Sequence, residues 1–62
     1  MKIRELVRLL HVDGWYLVRT RGGHHQDKHP IKRTLVTVPG KPHDDLAAGT
    51  LRSVLRQARL DG

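Results

Sequence analysis

"WYLVRTRGGHHQDKHP", residues 15–30, decides how this chain folds. Residues 15–21 are rich in aromatic and β-branched types, the composition of a strand. Gly22-Gly23 is a turn signal. "HHQDKH", residues 24–29, can run back as a second strand, so the stretch reads as a β-hairpin. Pro30 ends it, because proline has no N–H for a ladder and holds its predecessor extended.

Upstream, Ile3, Leu6, Val7 and Leu10 follow the i, i+3, i+4, i+7 spacing of a helix with one buried face. Lys2, Arg4, Glu5 and Arg8 fall mostly on the other side. Asp13-Gly14 ends this helix, with Gly14 suited to a left-handed terminal position. Downstream, "KRTLVTVP", residues 32–39, reads as a third strand, and "GKPHDD" as a loop. Leu51, Val54, Leu55 and Ala58 repeat the helical spacing, with Thr50 or Asp45 as the capping residue. The arginines at 52, 56 and 59 lie on or near its exposed side. The expectation is a single two-layer α+β domain over residues 1–62, in the order α-β-β-β-α. Both helices can cover one face of a three-stranded antiparallel sheet, leaving the other open to a partner.

The totals narrow the classes. A chain of 62 residues buries only about 60% of its unfolded surface and has little apolar material to spare. It has no cysteine, which excludes disulfides and thiolate metal sites and fits a reducing compartment. The first ten residues carry charges throughout, unlike a signal peptide. No apolar run approaches the roughly 20 residues of a membrane span. These features predict a small cytoplasmic domain without a membrane partner. Twelve Lys and Arg against six Asp and Glu give a net charge of +6, which calls for an anionic partner. One Trp, one Tyr and no Phe argue against a base-stacking platform. A bound nucleic acid would be held mainly through phosphate and sugar.

Three of the five histidines, His24, His25 and His29, fall within six residues. Alternation along a strand separates them into two sets. His24 shares a face with Gln26 and Lys28; His25 shares the other with Asp27 and His29. The first set suits a phosphodiester. RNA carries its own nucleophile, the 2′-hydroxyl, so a catalyst need only move protons and stabilise charge on phosphate, with no metal required in principle. Imidazole is the side chain best matched to that proton transfer at neutral pH, and fixed cations stabilise the developing charge. Arg21, Lys28, Lys32 and Arg33 are the candidate cations. Gly22 and Gly23 would let backbone approach the phosphate chain. The second set offers metal donors, but His25 and His29 stand about 13 Å apart on an extended strand, too far for one ion to take both without a bulge. His43-Asp44-Asp45 looks like a polar loop. His11 and Trp15 read as structural, the first at a helix end and the second in the core.

Taken together and in order, "DGWYLVRTRGGHHQDKHP", "LVTVP" and "DLAAGTLRSVLRQARL" resemble the HicA toxin family over nearly the whole chain. Any one piece would be weak; the combination is specific. The resemblance implies a fold like that of double-stranded-RNA-binding domains. It implies an endoribonuclease toxin that cleaves mRNA without a required cofactor, through a histidine in the glycine-led turn. The matching position is His24, with His25 as the fallback. The resemblance also implies a protein partner, a HicB-type antitoxin. Three positions depart from the family pattern. Gly23 replaces a serine, Arg59 stands where a helix-ending glycine is usual, and Asp27 replaces an aromatic or apolar residue. Because Asp27 shares the His25 face, that last position suggests an inward His25 and an outward His24. A non-catalytic RNA-binding module of the same fold, or a degenerate toxin, would carry the same basic surface. A module serving an acidic protein alone is a third reading.

Overall fold

The computed structural model describes residues 1–60. Its elements run α1 (Ile3–Asp13), β1 (Tyr16–Arg21), β2 (His24–Lys28), β3 (Val36–Pro39) and α2 (Ala48–Gln57). The sheet is antiparallel in the order β1-β2-β3. This is the α+β, α-β-β-β-α architecture the sequence predicts.

The core lies on one side of β3. Val36 and Val38 are buried there against Ile3, Leu6 and Leu10 of α1, Val54 of α2, and Trp15 and Ala58. Both helices therefore cover the same sheet face. Pro39 closes β3, an edge strand, which is where a residue without an N–H does least harm to a sheet.

Two boundaries differ from expectation. Lys32–Leu35 is loop, and β3 begins only at Val36. The side chains of that loop instead close the C-terminal end of α2: the Thr34 hydroxyl donates to the Gln57 carbonyl at 2.7 Å, and Lys32 Nζ to the Ala58 carbonyl at 2.9 Å. Helix ends need such partners for their orphan carbonyls. Neither Thr50 nor Asp45 caps α2; its N-cap is Ala47, with no side-chain bond. Asp45 pairs with Lys2 at 3.0 Å instead. The start of α1 is likewise satisfied by chain rather than by a cap, since the Ile3 and Arg4 N–H groups donate to the Asp44 and Pro42 carbonyls.

The two helices end in the same geometry. After α1, the Gly14 N–H donates to the His11 carbonyl and the Trp15 N–H to the Leu10 carbonyl. After α2, the Arg59 N–H donates to Arg56 and the Leu60 N–H to Leu55. Each is the paired closure that requires a left-handed residue just past the helix. Gly14 meets that requirement at φ 109°, and Arg59 meets it at φ 56° with a full side chain. Gly14 is constrained twice, because a Cβ there would lie 2.8 Å from His29 Nε2.

Candidate functional site

The hairpin tip sets the site. Gly22 and Gly23 both have positive φ, at 56° and 81°, as a two-residue type I′ turn demands. That turn places Arg21 directly opposite His24. The Gly40 N–H donates to the Gly23 carbonyl at 3.2 Å, tying the tip to the far end of β3.

Pairing assigns the faces, since residues opposite one another share a side. His25 stands opposite Val38, and Asp27 opposite Val36, both of which are buried valines. His24 stands opposite Pro39, and Gln26 opposite Thr37. His24 is thus an exposed residue of the open face, and His25 is half-buried on the helix-covered face. The two imidazoles lie on opposite sides of one strand, so they do not converge on a single phosphate.

A bulge in β1 decides where its arginines point. Leu17 pairs with Asp27 and Arg19 with Gln26, so the register slips across Val18. Strict alternation would put Leu17, Arg19 and Arg21 on one face. The slip lets Leu17 share the Asp27 side while Arg19 and Arg21 join Gln26 and His24 on the open side. Arg19 was not among the cations expected from the sequence. A single-residue bulge has no composition signal; the i, i+2 spacing of the arginines in "VRTR" was the available hint.

The other expected cations separate. Lys28 is exposed on the same face, about 13 Å along β2 from His24. Arg33 is exposed in the loop before β3. Lys32 is engaged in structure: its ammonium donates to Asp13 Oδ2 at 2.6 Å as well as to Ala58. Of the four, only Arg21 stands beside His24.

Lys32 belongs to a cluster that also contains the third histidine. The His29 ring packs edge-on to Trp15, with centroids 5.2 Å apart. Its Nδ1 accepts the Ile31 and Lys32 backbone N–H groups, both at 3.0 Å. Its proton therefore sits on Nε2, which donates to the Asp13 carbonyl at 2.6 Å. Both ring nitrogens are committed, so His29 has none to offer an ion. The Trp15 indole N–H donates to Asp13 Oδ2 at 3.1 Å. The hydrogen bond from Lys32, assisted by that of Trp15, holds the Asp13 carboxyl below its ordinary range. Asp13, Gly14, Trp15, His29 and Lys32 form one structural junction at the end of the sheet away from the glycine turn. Asp27, only 2% exposed, is pushed above the ordinary carboxylate value by burial, with His11 and His25 pulling weakly the other way when charged.

Beside His24 the sheet meets α2. His24, Thr37 and Pro39 form one wall of a shallow groove of roughly 360 Å³, and Gly49, Thr50, Ser53, Val54 and Gln57 form the other. The Thr37 N–H donates to Gln57 Oε1 at 3.0 Å, which fastens the helix along the sheet edge. Gln57 Nε2 donates to Ser53 Oγ at 3.3 Å. Sequence reading missed these lining residues, because the groove exists only where an edge strand and a helix 10 or more residues later come together.

The family model described as HicA toxin of bacterial toxin–antitoxin systems matches residues 3–60. This chain belongs to the HicA toxin family. It is therefore a toxin-family domain of a toxin–antitoxin system, and membership implies an antitoxin partner. No curated protein matches the chain. The HicA match runs from the first residue of α1 to the closing turn of α2, so it takes in the glycine turn, the hairpin and the groove. Among the described residues of this HicA chain, no helix is long and apolar enough to cross a membrane, and no three His, Asp or Glu side chains are gathered for a metal.

Proposed function

We propose that this domain is an endoribonuclease toxin that cuts mRNA with His24, and that a HicB-type antitoxin silences it by covering the open face. The supporting observation is the exposed His24 set directly across from Arg21, at the mouth of a groove, on the sheet face that the helices leave free. The chemistry follows from the substrate. The 2′-hydroxyl gives up its proton and attacks the adjacent phosphorus, the bond to the 5′-oxygen breaks as that oxygen takes up a proton from solvent and leaves as a 5′-hydroxyl, and a 2′,3′-cyclic phosphate remains. His24 takes the hydroxyl proton or hydrogen-bonds the phosphate. Arg21 and Arg19 stabilise the charge that builds on the phosphate oxygens. His25 does not share in this step, because it lies on the covered side. Lys28 and Arg33 contact phosphates farther along the strand. Lys32 supports the fold. A basic face of this kind also matches an acidic antitoxin surface, which would associate quickly and exclude RNA at once.

The test is cleavage of RNA by purified protein in the presence of EDTA. Cleavage by the wild type, lost in His24→Ala and blocked by 2′-O-methyl substitution, is the expected result. Undiminished cleavage by His24→Ala would overturn the assignment of the catalytic group. Salt-sensitive binding with no product from any RNA, and no arrest of growth on expression, would favour the non-catalytic RNA-binding module.

A further inference from the structure

On the reading that the open face handles RNA, we propose that the groove between β3 and α2 is a nucleoside subsite. It would hold one base and ribose adjoining the cut, while the phosphates on the other side of the cut run along Arg21 and Arg19.

The argument starts from the distribution of charge. The open face divides at His24. Toward β1 lie the two guanidinium groups, Arg21 opposite His24 and Arg19 opposite Gln26. Toward α2, among the described residues, the groove wall carries no charged side chain, only Thr37, Thr50, Ser53 and Gln57 with Pro39, Gly49 and Val54 between them. An RNA strand has the same division within each unit, an anionic phosphate joined to an uncharged sugar and base. Cations suit the first, and hydroxyls and amides beside apolar surface suit the second.

Size and polarity agree. Small-molecule sites run from about 300 to 1,000 Å³ and are mainly apolar with a few converging polar groups. The groove, at roughly 360 Å³, is at the small end, right for a single nucleoside and too small for a paired segment. Gly49 leaves open space above its backbone, where a Cβ would meet nothing within 4 Å. The Pro39 ring and the Val54 side chain supply the apolar floor. Sequence preference, on this account, is written in Thr50 and Ser53 rather than around His24 itself. Gln57 is already committed to the Thr37 N–H and to Ser53, which fixes its amide in place and orients the Ser53 hydroxyl.

Two measurements on the full chain test this. The first maps cut sites in a pool of random oligoribonucleotides for the wild type, Thr50→Val and Ser53→Leu, with thermal melts to show that each variant folds. The expected result is a base preference beside the cut in the wild type. Thr50→Val should weaken it, and Ser53→Leu, which fills the groove, should raise KM at least tenfold. The second follows the backbone amides of His24→Ala by NMR during titration with a ribotrinucleotide. Residues 37, 50 and 53 should shift at concentrations that also move Arg19 and Arg21. Unchanged cut sites and KM in both variants, with no shift at 37, 50 or 53, would overturn the subsite while leaving His24 catalysis intact. Amide shifts in the groove with no cleavage by the wild type would sustain the subsite and defeat the catalytic reading. A titration that moves neither the groove nor the arginines would defeat both.

Discussion

Arg59 occupies the left-handed position that closes α2, at φ 56°. An L-residue with a Cβ is strained there by about 1–2 kcal/mol, part of which a glycine regains through strain relief and part of which it forfeits in chain entropy. Arg59→Gly is therefore expected to stabilise the domain by about 0.5–1 kcal/mol, read as a higher urea midpoint with an unchanged slope. The corresponding glycine at the end of α1 has no such freedom to vary. Any side chain at Gly14 meets the His29 ring as well as the positive φ. Asp27 makes the opposite case, a residue at odds with its surroundings. Burial raises its pKa in the native state. At pH below the unfolded value, about 3.9, the carboxyl is protonated in both states and exacts nothing. Above its raised native value it is ionised in both, and the full penalty applies. The stability it takes away thus grows as pH rises through the window just above the ordinary carboxylate range. Asp27→Asn should melt higher than wild type at pH 7, and the gap should close as pH falls toward 4. An equal gap at both pH values would show that charge burial is not the cause. The departure at 27 was visible in the sequence, but that it buries a carboxylate depends on the register of β2 against β3, which residue spacing does not encode.

Among the elements, the hairpin tip was legible because its signals are local: two glycines fix the turn type, and the turn type fixes the pairing of Arg21 with His24. The turn does not say which face is inward; an outward His24 and an inward His25 were suggested by the family resemblance. The bulge across Val18, which carries Arg19 to the open face, left no trace in the composition. The loop before β3 was not legible. "KRTLVTVP" has strand composition throughout, yet Lys32 and Thr34 are diverted to the carbonyls at the end of α2, a demand that arises 20 or so residues away. The third histidine was misleading for the same reason. Grouped by spacing with His25 and Asp27 as possible donors, His29 is instead fastened to Asp13, a residue 16 positions earlier. Removing its ring abolishes three hydrogen bonds and the edge-on contact with Trp15. His29→Ala should lower stability by about 2–4 kcal/mol, measured by urea denaturation. His24→Ala should change it by less than about 0.5 kcal/mol, since the side chain is exposed. Equal losses from the two substitutions would contradict a structural role confined to His29.

At the scale of the whole molecule, anchorage is uneven. α1, α2 and β3 share one core, and the junction of Asp13, His29 and Lys32 binds the end of α1 to the end of α2. β1 has a neighbour on one edge only, and every one of its six residues is exposed. Local opening follows buried contact. Native-state hydrogen exchange should find Val36, Val38 and the middle of α1 opening only with global unfolding, and the amides of Leu17 to Thr20 opening at a much lower free energy. Uniform protection across the sheet would refute this. The least anchored strand is also the one that carries Arg19 and Arg21. If it opens as readily as its exposure predicts, a polyanion docking there would have to still it before gaining the contacts, and a share of the attraction would be absorbed as lost disorder. On the proposed reading, grip on RNA would then be set as much by how still the ribbon already is as by how many positive groups it bears.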